Sequence, residues 1–161
     1  MKLRRLTLLL FPLIVMSCKT ATIKTIETAS YTNLKEQRLG QSSYFVKFPS
    51  TMFIEEVRGK EGQLGYGIWE IDSIKRYLSS SSFIEIEHGS PIGWEPDCDK
   101  SIEKVRSNLF NGTIKWTICE SEARNYYNAI AYHGKLFLKA SSRTRSGLDS
   151  MIAIIATLST K

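Results

Sequence analysis

Apolar and polar residues alternate along several short stretches of this chain, and a few stretches repeat at helical spacing instead. Tyr44, Val46 and Phe48 share one side of an alternating run that Pro49-Ser50 ends, which predicts a strand. Met52 to Val57 and Tyr66 to Ile71 predict two more, joined by a glycine-punctuated loop from Arg58 to Gly65. Asp72 is the expected N-cap of a short helix with Ile74, Tyr77 and Leu78 on one face, closed by Ser79 to Ser82. Phe83 to His88 reads as a strand, and the Gly- and Pro-containing Gly89 to Asp97 as a loop. Asp99 then caps an expected helix running to Phe110, with Ile102, Val105, Leu109 and Phe110 on one side and Asn111-Gly112 as its stop.

The pattern returns to period two in Thr113 to Cys119, where Ile114, Trp116 and Ile118 face one way. After a polar turn from Glu120 to Asn125, Tyr126 to His133 and Lys135 to Ala140 predict a hairpin about His133-Gly134. Ser141 to Ser146 is a basic turn. Ser146 and Asp149 resemble a capping box, and Leu148, Met151, Ile152, Ile155 and Ala156 line the inner face of a last helix. Strands linked at hairpin length and interrupted by amphipathic helices predict an α+β fold, an antiparallel β-sheet flanked by helices.

The first forty residues follow a different pattern. Lys2, Arg4 and Arg5 precede an apolar run from Leu6 to Met16, too short to span a bilayer and of the length of a secretory signal core. The run ends in Val15-Met16-Ser17-Cys18, which resembles the bacterial lipobox. That resemblance implies cleavage before Cys18, a signal peptide over residues 1–17, and acylation of Cys18 with diacylglycerol and fatty acid such as palmitate. Lipid chains hold a protein to a bilayer through about 0.8 kcal/mol per buried CH₂. Residues 18–40, rich in Thr, Lys, Glu and Gln, are expected to be the lipidated cysteine and a flexible tether. Residues 41–161 are then one α+β domain. The expected location is the bacterial cell envelope. By analogy with enteric sorting, Lys19 in place of an aspartate favours the outer membrane.

Tyr44-Phe45-Val46-Lys47-Phe48-Pro49 with Met52-Phe53, together with the closing Ile154-Ile155-Ala156-Thr157-Leu158, resembles the PsbP-like domains. The resemblance would cover residues from about 41 to 161. It implies an α/β/α sandwich and a role nearer to adaptors and assembly factors than to enzymes.

Charge and chemistry narrow the classes. The formal net charge is +6, but Lys2, Arg4 and Arg5 leave with the signal, so +3 remains and no nucleic-acid partner is indicated. Of three cysteines, Cys98 and Cys119 remain after Cys18 is lipidated, and an oxidising compartment makes them an expected disulfide stabilising the fold by about 3 kcal/mol. No Gly-x-Ser-x-Gly, Ser-x-x-Lys or phosphate-loop pattern occurs. No enzyme, cofactor or metal site is expected, and Glu55, Glu56, Glu85 and Glu87 read as solvated strand residues.

The leading expectation is a non-enzymatic module, of adaptor or immunity type, that binds another envelope protein. Ile92 and Trp94 in the Gly89–Cys98 loop, the Arg58–Gly65 loop, and Arg143 and Arg145 with Lys135 and Lys139 are the candidate contacts. The alternatives are a small-ligand carrier with a pocket between sheet and helices, or a metal or enzymatic site using His88 and His133.

Overall fold

A computed structural model of the chain describes residues 23–27, 32–58, 64–72, 77–86, 100–121 and 125–161. Their elements, in chain order, are β1 (Thr25–Ile26), β2 (Leu34–Arg38), β3 (Tyr44–Pro49), β4 (Phe53–Arg58), β5 (Leu64–Asp72) and β6 (Tyr77–Ile86). There follow β7 (Lys100–Leu109), β8 (Gly112–Ser121), β9 (Tyr126–His133), β10 (Leu136–Ser142), α1 (Arg145–Ile155) and β11 (Ser159–Thr160). An eight-stranded sheet runs in the order β1-β7-β8-β9-β10-β6-β5-β4, and a three-stranded sheet in the order β11-β3-β2. The large sheet is mixed: β1 lies parallel to β7, and its other pairings are antiparallel.

The α+β expectation, an antiparallel β-sheet flanked by helices, is therefore overturned. The fold is mostly β, with one helix among the described residues. Among the described residues the α/β/α layering implied by the PsbP-like resemblance is overturned with it.

Both surplus helices were expected where the apolar positions suit either period. Val105 and Leu109 satisfy a helical face, but in β7 they alternate with exposed Lys104 and Asn108 and flank a buried serine, Ser107. Ser107 conceals the period-two pattern, because a hydroxyl looks like a surface position. Here it accepts the indole N–H of fully buried Trp116 at 2.9 Å. Ile102 would anchor the helical reading, yet it is 45% exposed, beside a register shift between Ser101 and Glu103 that turns the strand. The short helix expected after Asp72 is overturned at Tyr77 and Leu78, while Ile74 lies outside the described residues. Tyr77 and Leu78 belong to β6, and the serines that follow continue the strand.

These serines serve the packing of α1. Ser82 pairs with Ala140, which pairs with Ala129 in turn, so a strip of small residues crosses β6, β10 and β9. α1 packs over these same three strands. Ser82 donates to the Met151 carbonyl at 3.0 Å, and Ser80 shares a 2.9 Å hydrogen bond with Ser142. Small side chains let the helix approach closely, and their hydroxyls are satisfied there. Leu148, Met151, Ile152 and Ile155 are buried as the periodicity indicates, and Ala153 and Ile154 are buried too, because β3 adjoins the helix on another side. The N-cap is Thr144 rather than Ser146; its hydroxyl accepts the Gly147 N–H at 3.1 Å.

Residues expected to be tether enter the fold. Ile26 and Leu39 are buried in the core, β1 joins the edge of β7, and β2 pairs with β3. At Gly40, φ is +53° and a Cβ would run into the Tyr66 hydroxyl, so glycine is required by both backbone and space.

Two substitutions test this packing. Ser107→Ala leaves the Trp116 N–H without an acceptor and is expected to cost about 1–3 kcal/mol, read by urea unfolding. Gly147→Ala, which ordinarily stabilises a helix by about 1 kcal/mol, is expected to lower the melting temperature here. Its Cβ would meet the hydroxyls of Ser142 and Thr144.

Candidate functional site

The site begins at the turn between β7 and β8. Leu109 pairs with Gly112, so the turn consists of Phe110 and Asn111 alone, and both have positive φ, 46° and 61°. Such primed turns match the twist of the flanking strands. Asparagine tolerates the left-handed region. For a bulky L-residue such as Phe110 the conformation costs about 1–2 kcal/mol.

Contacts with both sheets hold the turn in place. The half-buried Phe110 ring lies 5.9 Å from Tyr44 of β3 and 5.3 Å from His133 at the end of β9, both tilted. Aromatic pairs of this kind contribute about 0.5–1.5 kcal/mol each beyond their burial, enough to offset the backbone strain. The same Asn111-Gly112 dipeptide that suggests a helix stop is thus the end of a hairpin.

Beside this turn lies a cleft of about 590 Å³, a size typical of ligand or peptide sites. Asn108 through Thr113 form one wall, and Ala156 with Leu158, Ser159 and Thr160 form the other. None of these residues carries an acid, an amine or an imidazole. The cleft offers amides, hydroxyls and backbone beside apolar Leu109, Leu158 and Phe110. β11, at the outer edge of the small sheet, supplies Ser159 and Thr160.

The second wall is tied down at several points. Thr157 accepts the Lys47 N–H at 2.8 Å and reaches the Ile154 carbonyl at 2.7 Å, joining the end of α1 to β3. The Lys161 N–H donates to the Ser43 carbonyl at 3.2 Å, and its ammonium bonds Glu36 and lies 4.9 Å from the Phe45 ring centre. The Lys161 hydrogen bond, assisted by the charges of Lys161 and Lys47, holds the Glu36 carboxyl below its ordinary range.

None of the described site residues expected from sequence lines this cleft. Cys18, His88, Ile92, Trp94 and Cys98 lie outside the described residues, as do Glu87 and most of the Arg58–Gly65 loop. Arg145 is bonded to both Glu103 and Asp149; burial opposes its charge, but these two carboxylates raise its pKa overall. Arg143 is exposed and sits 5.4 Å from the Tyr126 ring. Lys135 occupies the opposite end of β10 from Arg143, so the expected basic patch is divided. Glu85 is buried rather than solvated, at 1% exposure, whereas Glu55 and Glu56 are exposed.

His133 meets Phe110 but does not line the cleft, and among the described residues no group of three His, Cys, Asp or Glu side chains is placed to hold a metal ion. The lining residues were missed because amides and hydroxyls in turns look unremarkable one at a time; the two-residue spacing between alternating runs was the available signal. No protein-family model matches the chain, and no curated protein sequence matches it.

The Glu36 linkage has a definite sign. A carboxyl with a lowered folded pKa contributes stability above its unfolded pKa, and that contribution disappears as pH falls through the folded value. NMR titration is expected to place Glu36 below an ordinary glutamate, and Lys161→Ala to return it toward the ordinary value.

Proposed function

We propose that the chain is a lipid-anchored protein of the bacterial envelope that binds another protein, without catalysis, through the cleft between the β7–β8 turn and β11. The observation that carries this reading is the combination of a strained, clamped aromatic turn with an edge strand across a cleft free of acids, amines and imidazoles. Strained residues persist where surrounding structure overdetermines them, and they cluster at binding and switch regions. An edge strand accepts an extended segment through backbone hydrogen bonds, with neighbouring side chains setting specificity. The anchor rests on the lipobox-like Val15-Met16-Ser17-Cys18, and the envelope location, with outer membrane favoured, follows from it.

The Cys98–Cys119 disulfide belongs to the same proposal. Cys119 is buried on β8 directly opposite Ser101. Position 98 lies three residues before Ser101, a chain reach of about 10 Å.

A small-ligand carrier is the second reading, favoured by the size of the cleft. Against it, Trp116, Ile118, Leu138 and Met151 fill the space between sheet and helix, and the cleft lies to one side of that core.

The test places a photocrosslinking residue at Thr160 or Asn111 in the full-length protein in intact cells, with Glu55 as a control position. One shared protein adduct from both cleft positions, reduced in a Phe110→Ala background and in Cys18→Ser, is the expected result. Adducts from Glu55 alone would refute the placement at the cleft. Cys18→Ser is also expected to release the protein from the membrane fraction.

A further inference from the structure

We propose that the outward face of β7 and β8, built on Lys104, Arg106 and Lys115, seats the domain against anionic phospholipid headgroups of the membrane that holds its N-terminus. This rests on the lipid-anchor reading and goes beyond it by assigning an orientation.

The first observation is a like-charge pair. Arg106 lies directly opposite Lys115, and Lys104 opposite Thr117, all on the face turned away from α1. Like charges directly opposite in a sheet repel. Five described cations bridge to acids: Lys24 with Asp149, Lys47 and Lys161 with Glu36, Arg58 with Glu56, and Arg145 with Glu103 and Asp149. Lys104, Arg106 and Lys115 are in none of these pairs, and a buried edge of the Arg106 guanidinium, Nε, has no hydrogen-bond acceptor. Glu103, the nearest acid in β7, is engaged with Arg145 on the helix side. Even with the exposed Glu27 just after β1, the three cations leave net positive charge where an external anion would relieve the repulsion.

The second observation is where the chain arrives. Thr25 of β1 pairs with Arg106 itself, so the N-terminal segment enters the fold at this patch. Cys18 lies seven residues before Thr25, a span of at most about 25 Å. A lipid on Cys18 therefore holds the patch within reach of headgroups, and basic residues near a membrane surface are drawn to anionic lipid within a Debye length. Tyr132, 49% exposed on the same face, is a residue type that favours the headgroup region.

The full-length protein purified from membranes would be reconstituted into neutral phosphatidylcholine vesicles and into vesicles with added phosphatidylglycerol. An amine-acetylating reagent would then be applied, with each lysine read by mass spectrometry and the N-terminal peptide mass reporting lipidation. Lys104 and Lys115 are expected to be labelled severalfold more slowly in the anionic vesicles, with high salt abolishing the difference and Lys35 and Lys135 unaffected. Lys115→Glu should remove the protection of Lys104 while leaving Lys35 labelling, a report on the fold, unchanged. Equal labelling of Lys104 and Lys115 in both vesicles, with the protein lipidated and bound, would overturn the orientation alone. An unmodified Cys18 would show instead that the anchor reading had failed, and the proposal with it. Equal protection by a DNA duplex would mark a general polyanion surface and also overturn the membrane assignment.

Discussion

The architecture depends on covering one face of the large sheet. Eight strands at about 4.8 Å spacing make a surface roughly 34 Å wide, whereas an eleven-residue helix is only about 16 Å long. α1 packs mainly over β10, β6 and β9, touches β7 and β1, and is too short to cover the rest. The remainder falls to the small sheet, whose Val46 and Phe48 join Leu39, Met52 and Leu158 in the same continuous core as Trp116 and Ile118. Residues from both ends of the chain must therefore be ordered before the core is complete. For that reason β2 and β11, far apart in sequence, meet as the outer strands around β3.

Closing this core requires polar groups to be buried with their partners. Ser107 satisfies the Trp116 indole, Ser82 bonds the backbone of α1, and Ser141 donates to Asn128 at 2.7 Å on the other face. Each would cost about 1–3 kcal/mol if left without a partner. Satisfied, they fix the strand register, since a slip by one residue would separate every pair at once.

The cleft arises where the two sheets meet. The β7–β8 turn must be short to keep its register, and that forces Phe110 into a backbone conformation it disfavours; Tyr44 and His133 compensate by gripping its ring. The opposite wall is the last stretch of chain, pinned by Thr157 and Lys161. The proposed binding cleft and the proposed membrane-facing surface thus share one hairpin. The turn of β7 and β8 offers the cleft, and the body of the same strands offers cations.

Much was legible in the residues alone. The strands at Tyr44 and Trp116 follow from alternation, those at Phe53 and across the Tyr126 to Ala140 hairpin from short apolar runs bounded by turn residues, and the last helix from its apolar face. The lipobox-like Cys18 is likewise a local pattern. β7 and the first half of β6 were not legible, whereas the strand from Phe83 was: Val105 with Leu109 fits two periods, and the buried serines at 80, 82 and 107 resemble surface positions until their partners are known. Local pattern determines a residue's preference for strand or helix where that preference is unambiguous. Tertiary structure decided the rest, because the satisfaction of a buried hydroxyl, the coverage of a wide sheet and the cleft between two walls depend on groups that are distant in the chain.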